Sequence, residues 1–157
     1  MLPERVLWLA LVSSIIVMTL LRGAHTHEVQ PSVADITIGR QTVEIKIDWV
    51  SEAPVAGIDL SGGSDTNDAA EADVYDDLRA LDPAALETAF RAAWSDIAAD
   101  IPVEMDGTRL DLEIEEVVIP DAGDVELIRI SQVTLSADLP RGDGLVLGWA
   151  ANLGPIV

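Results

Sequence analysis

The chain has no cysteine, so disulfides, thiolate metal sites and a cysteine nucleophile are excluded. Histidine is nearly as scarce. The only two, His25 and His27, lie close together near the N-terminus, which argues against a buried Ser-His-Asp set. Basic residues are few, with Lys+Arg 9 against Asp+Glu 28 and a formal charge of −19. Such a surface repels nucleic-acid phosphates and lacks a polybasic membrane patch. No phosphate-cradling loop is present, because the glycine-containing stretch "SGGSDTND" has no lysine at the required place. Carboxylates are abundant, yet none forms a pair that the sequence singles out for acid–base work. These absences point to a protein that is not an enzyme.

What is present is apolar content of 49% in 157 residues, too much for a disordered acidic tail and enough for one domain plus a targeting segment. The segment "MLPERVLWLALVSSIIVMTLLRGA" has a short head with Arg5 and then an apolar run over residues 6–21. As a helix that run spans about 24 Å at 1.5 Å per residue, short of the roughly 30 Å bilayer core. It fits a secretory signal occupying residues 1–24, with Ala24 before the cut and Arg22 where a small residue is preferred. An uncleaved anchor is the alternative. Either one places residues 25–157 in the periplasm or another extracytoplasmic space, where they keep seven basic and 27 acidic side chains.

Those residues read as one α+β domain. Val43, Ile45, Ile47 and Trp49 alternate with Glu44, Lys46 and Asp48, predicting a half-buried strand in a hairpin that turns at Gly39 and Arg40. "GIDLSGGSDTNDAAEAD" breaks the pattern and reads as a loop. Two helices are expected next. The first starts at the capping-box spacing Asp68–Glu71, with Val74, Leu78 and Leu81 on one face. The second starts at Asp82-Pro83, carries Leu86, Phe90, Trp94 and Ile97, and ends before Pro102. Asp106-Gly107 is a hairpin signal, followed by alternating Leu110, Leu112 and Ile114 and a slip at Glu115-Glu116 that suggests a bulge. "AGD" turns again at 122–124, Val133, Leu135, Ala137 and Leu139 form a long strand, and "PRGDG" precedes Leu145, Leu147 and Trp149. The order lacks a βαβ rhythm. An antiparallel sheet or sandwich of about six strands with an inserted helical pair follows.

"HTHEVQPSVADITIG", "GIDLS", "YDDLRALDPAALETAFRAAW" and "LSADLP…LGWAANLGPIV" resemble the HupE/UreJ family, membrane proteins linked to hydrogenase and urease accessory functions. The resemblance spans roughly residues 25–157 and is to the extracytoplasmic N-terminal region of one branch. It implies a non-enzymatic interaction or accessory module with a membrane or periplasmic protein partner, linked to metal trafficking. Transmembrane helices follow this region in family members, and nickel-linked transport is associated with those helices, so transport is not carried over. The family is expected to show a single histidine where this chain has two around Thr26.

Three groups are candidate sites. If the mature chain starts at His25, its amine, the intervening amides and the His27 imidazole form a square-planar set suited to Cu(II) or Ni(II). The competing reading is two solvated histidines ahead of the first strand. Asp59, Asp65, Asn67 and Asp68 cluster oxygens in the loop, but without the spacing of a calcium-binding loop. Turn and cap roles account for the same residues. Trp49, Trp94 and Trp149 fall on inward positions, where core packing is the default and a shared ligand pocket the alternative.

Overall fold

The computed structural model describes residues 30–62, 66, 69–125 and 127–157. The first hairpin joins β1 (Val33–Ile38) to β2 (Thr42–Trp49) in antiparallel register, with Ala34 opposite Ile47, Ile36 opposite Ile45 and Ile38 opposite Val43. Strand β2 alternates as its sequence predicts: Val43, Ile45, Ile47 and Trp49 are buried, and the residues between them face water.

The chain then forms a short helix that the hydrophobic pattern does not announce, α1 (Glu52–Ala56). It ends in a Schellman turn: Gly57 has φ +80°, its N–H donates to Pro54 O and the Ile58 N–H reaches back to Ala53 O. Helix α2 (Ala72–Arg79) has Glu71 at its N-cap, and the Tyr75 N–H donates to Glu71 O at 2.9 Å. The helix therefore starts later than the Asp68–Glu71 spacing predicts, and Asp68 lies outside the described residues. Its inward face also differs from expectation. Tyr75, Leu78 and Arg79 are buried, whereas Val74 is 50% exposed, because the 75/78/79 stripe is the one that meets α1.

Helix α3 (Pro83–Ala99) follows its sequence closely. The Asp82 carboxylate accepts the Ala85 N–H at 2.9 Å, and Pro83 occupies the first turn, where a missing N–H costs nothing. Leu86, Phe90 and Ile97 are buried, with Trp94 half-buried beside them. At the other end Arg109 donates to the carbonyls of Ala98 and Ala99, capping α3 from a neighbouring strand.

After α3 come β3 (Val103–Met105) and β4 (Thr108–Arg109), joined at Asp106 (φ +50°) and Gly107 (φ +79°), the two positive φ values of a type I′ turn. The alternating run 108–118 then divides between two sheets. Strand β4 stays beside β3, while β5 (Glu113–Val118) joins the larger sheet. Leu110, Leu112 and Ile114 all pack against the same core, so the alternation is satisfied while the chain crosses over. The Leu112 carbonyl, outside either ladder, accepts the Trp94 Nε1–H at 3.1 Å. The expected bulge is present: Ile114 pairs with Leu135 and Glu116 with Thr134, leaving Glu115 as the extra residue. Strands β6 (Ser131–Asp138) and β7 (Leu145–Leu147) and a 3-10 turn at Ala151–Leu153 complete the chain.

The architecture is α+β, with antiparallel sheets ordered β1-β2-β6-β5 and β4-β3-β7. One face of the larger sheet packs on α3 and the smaller sheet in a core built on Val43, Ile45, Ile47, Trp49, Phe90, Val103, Val133 and Leu135. A second small cluster, Ala53, Ile58, Leu60 and Tyr75, lies under α1 and α2. Among the described residues no helix is long and apolar enough to cross a membrane.

Candidate functional site

The outer margin of β1 departs from the pattern of a closed core. Val43 and Ile45 are buried, yet their cross-strand partners Ile38 and Ile36 are 62% and 47% exposed on the same face of the sheet. The smaller sheet and α3 cover β2 and β6 but stop short of the edge strand. A groove of about 490 Å³ opens there, lined by Ile38, Met105, Leu139 and Leu145, with Arg40, Arg141 and Asp143 around it. Its position follows from local structure: β1 supplies Ile38, the hairpin turn supplies Arg40, and the turn before β7 supplies Arg141 and Asp143. The Asp106 carboxylate accepts the Gly144 N–H at 2.9 Å and holds that turn against the β3–β4 hairpin.

A polar node lies on the opposite side of the core. Glu52 and Arg129 are both buried and form an ion pair at 2.8 Å between Arg129 Nε and Glu52 Oε1. Arg129 also donates to Leu81 O and Leu78 O, completing the α2–α3 connection. Ser51 and Ser131 join their hydroxyls at 3.0 Å beside it. Burial pushes the Tyr75 hydroxyl above its ordinary value, with nearby Arg79 opposing and Glu52 adding to the shift. The Arg79 guanidinium lies 5.5 Å from the Tyr75 ring centroid. Every charge here is matched by an internal partner, so the node holds α1, α2 and β6 together. No sequence signal marked it: Glu52 and Arg129 are 77 residues apart, and each reads singly as a surface charge.

The residues singled out from sequence separate into three outcomes. His25 and His27, with the whole of residues 1–24, lie outside the described residues. So do Asp65, Asn67 and Asp68 of the acidic loop. Asp59 accepts the Ser61 backbone N–H at 2.8 Å, and hydrogen bonds from the Ser61 side chain and backbone hold its carboxyl below the ordinary value, as in a turn. Among the described residues no group of three acidic or histidine side chains is placed to hold a metal ion.

The tryptophans do meet, as core. Trp49 is 5.1 Å from Trp149 and 6.0 Å from Phe90, and Phe90 is 5.8 Å from Trp94. The indole N–H groups of Trp94 and Trp149 donate to Leu112 O and Gly154 O. Ring-to-ring packing thus occupies the space that a shared aromatic ligand pocket would need.

No protein-family model, curated protein or solved structure matches this chain.

Proposed function

We propose that this chain is a non-enzymatic extracytoplasmic module that docks a membrane or periplasmic protein, the role implied by its resemblance to the HupE/UreJ family. The observation that supports this reading is the exposed apolar margin of β1, where Ile36 and Ile38 extend the core face beyond the layer that covers it. Edge strands expose unpaired backbone groups, and proteins ordinarily blunt them with charge, bulges or a covering element. Here an apolar edge borders a groove, the arrangement expected of an interaction site. The acidic surface keeps nucleic acid away and favours a protein partner.

The reading is tested in the intact envelope. A photo-crosslinking amino acid at Ile36 should give a discrete adduct with a protein, and the same probe at Glu44, on the outer face of the sheet, should not. Protease added to spheroplasts should digest the domain without lysis. Digestion only after lysis, or identical behaviour of both probes, would reject the proposal.

A further inference from the structure

The outer side of β1 already accepts one added strand. The Ser32 N–H donates to Pro155 O, the Val157 N–H to Ser32 O and the Ala34 N–H to Val157 O, each at 2.9 Å. This makes a parallel bridge between Ser32 and Ile156. Backbone groups along a strand alternate in direction, so Ile36 and Ile38 point their N–H and C=O the same way as Ala34. Among the described residues, 155–157 pair with this edge as far as Ala34, and none pairs with the outward backbone groups of Ile36 or of Ile38, which lines the groove.

Charge at this place is unusual for the molecule. Of the seven basic side chains among the described residues, Arg79 and Arg91 pair with Asp76 and Glu87, Arg129 pairs with Glu52, Arg109 caps α3, and Lys46 lies on the outer face of β2, away from the groove. Arg40 and Arg141 have no ion pair or hydrogen bond among the described residues, and both line the groove, with Asp143 as the one acid in its lining and the Asp106 carboxylate engaged by the Gly144 N–H behind the turn. In a chain of net charge −19, two arginines without ion-pair partners among the described residues meet at this one groove. Solvent screening over about 8 Å at physiological ionic strength makes the near charges count more than the total.

We propose that this edge binds an extended, acidic segment of a partner protein by strand addition. The segment's backbone pairs with Ile36 and Ile38, its apolar side chains cover the groove, and its carboxylates meet Arg40 and Arg141. This rests on the docking reading above and names the chemistry of the partner. A second copy of the chain is a poorer occupant. Its acidic edge strand, β5 (EIEEVV), is interrupted by the Glu115 bulge, which breaks the ladder that strand addition requires. Two copies also bring −19 each.

The test uses the full chain and fluorescein-labelled peptides of alternating valine and glutamate, followed by anisotropy. The glutamate peptide should bind at least about tenfold more tightly than its lysine counterpart, the scale of one close charge pair. N-methylation of alternate backbone nitrogens should weaken it comparably, since strand addition depends on those N–H groups. Arg40→Glu with Arg141→Glu should reverse the preference while leaving the thermal melt unchanged, as both side chains are exposed and unpaired. Equal affinity for the acidic and basic peptides, or indifference to N-methylation, would overturn the proposal. So would sedimentation showing a dimer that Ile36→Lys dissociates, which would assign the edge to a second copy. A crosslink at Ile36 without acidic-peptide preference would leave the docking reading standing and remove this inference alone.

Discussion

Glu52 and Arg129 show how much of a single residue's role lies outside its neighbourhood in sequence. Glu52 opens a short helix and Arg129 precedes β6, and each becomes buried only because the fold brings them within 2.8 Å. A buried charge that loses its partner is costlier than a pair replaced together. Arg129→Met should therefore destabilise by about 3–5 kcal/mol in urea unfolding, and adding Glu52→Gln should recover part of that loss. Equal loss in the single and double variants would place the energy in packing instead. Tyr75 supplies a pH signature at the same node. Burial holds its hydroxyl pKa above the ordinary 10.0, so the folded state holds the proton more tightly than the unfolded chain. The stabilising contribution is full below pH 10 and is lost as pH rises through the folded value. The unfolding midpoint should fall in that alkaline window, and Tyr75→Phe should remove this part of the fall. The histidine tip could be read only as a conditional chelate, since its chemistry depends on where the mature chain begins.

Individual elements were legible where local chemistry agrees with burial. The β1–β2 hairpin, the Asp106-Gly107 turn, the bulge at Glu115 and the Asp82-Pro83 start of α3 each rest on one short-range signal that the fold keeps. Helix α1 was missed because its five residues are too few to show a 3.6-residue period, although Gly57 just beyond them was a stop signal. The division of residues 108–118 between two sheets was missed for a different reason: Leu110, Leu112 and Ile114 keep an unbroken alternation across the crossing. Capping gives the cleanest test at this scale. Asp82→Ala removes the acceptor for the Ala85 N–H and should cost about 1 kcal/mol, measured by denaturant titration. Asp82→Asn should cost less, because an amide oxygen still accepts that bond. Gly107→Val, forcing a β-branched residue to φ +79°, should be worse than Asp82→Ala.

Across the molecule, the α+β class was readable from the order of periodic segments, but the strand neighbours were not. Strand β2 lies between β1 and β6, and its pairing with β6 joins residues as far apart as Thr42 and Asp138. No local signal encodes that choice; it follows from which apolar faces bury together. The open margin of β1 was likewise invisible, since Ile36 and Ile38 look in sequence like ordinary core residues of a hairpin. Trp49 sits where the layers meet, at the end of β2, touching Phe90 on α3 and Trp149 beyond β7. Its burial therefore ties the large sheet to both elements that cover it. Trp49→Ala should lower stability by about 3–5 kcal/mol, the range for emptying a large aromatic site. Because one ring serves the whole core, far-UV and near-UV circular dichroism should still report a single coincident transition, at lower denaturant, in the presence of a chelator. Two separated transitions, with near-UV signal lost before far-UV, would mean that the sheet and its cover are held together elsewhere, and that the aromatic contacts fill space without coupling the layers.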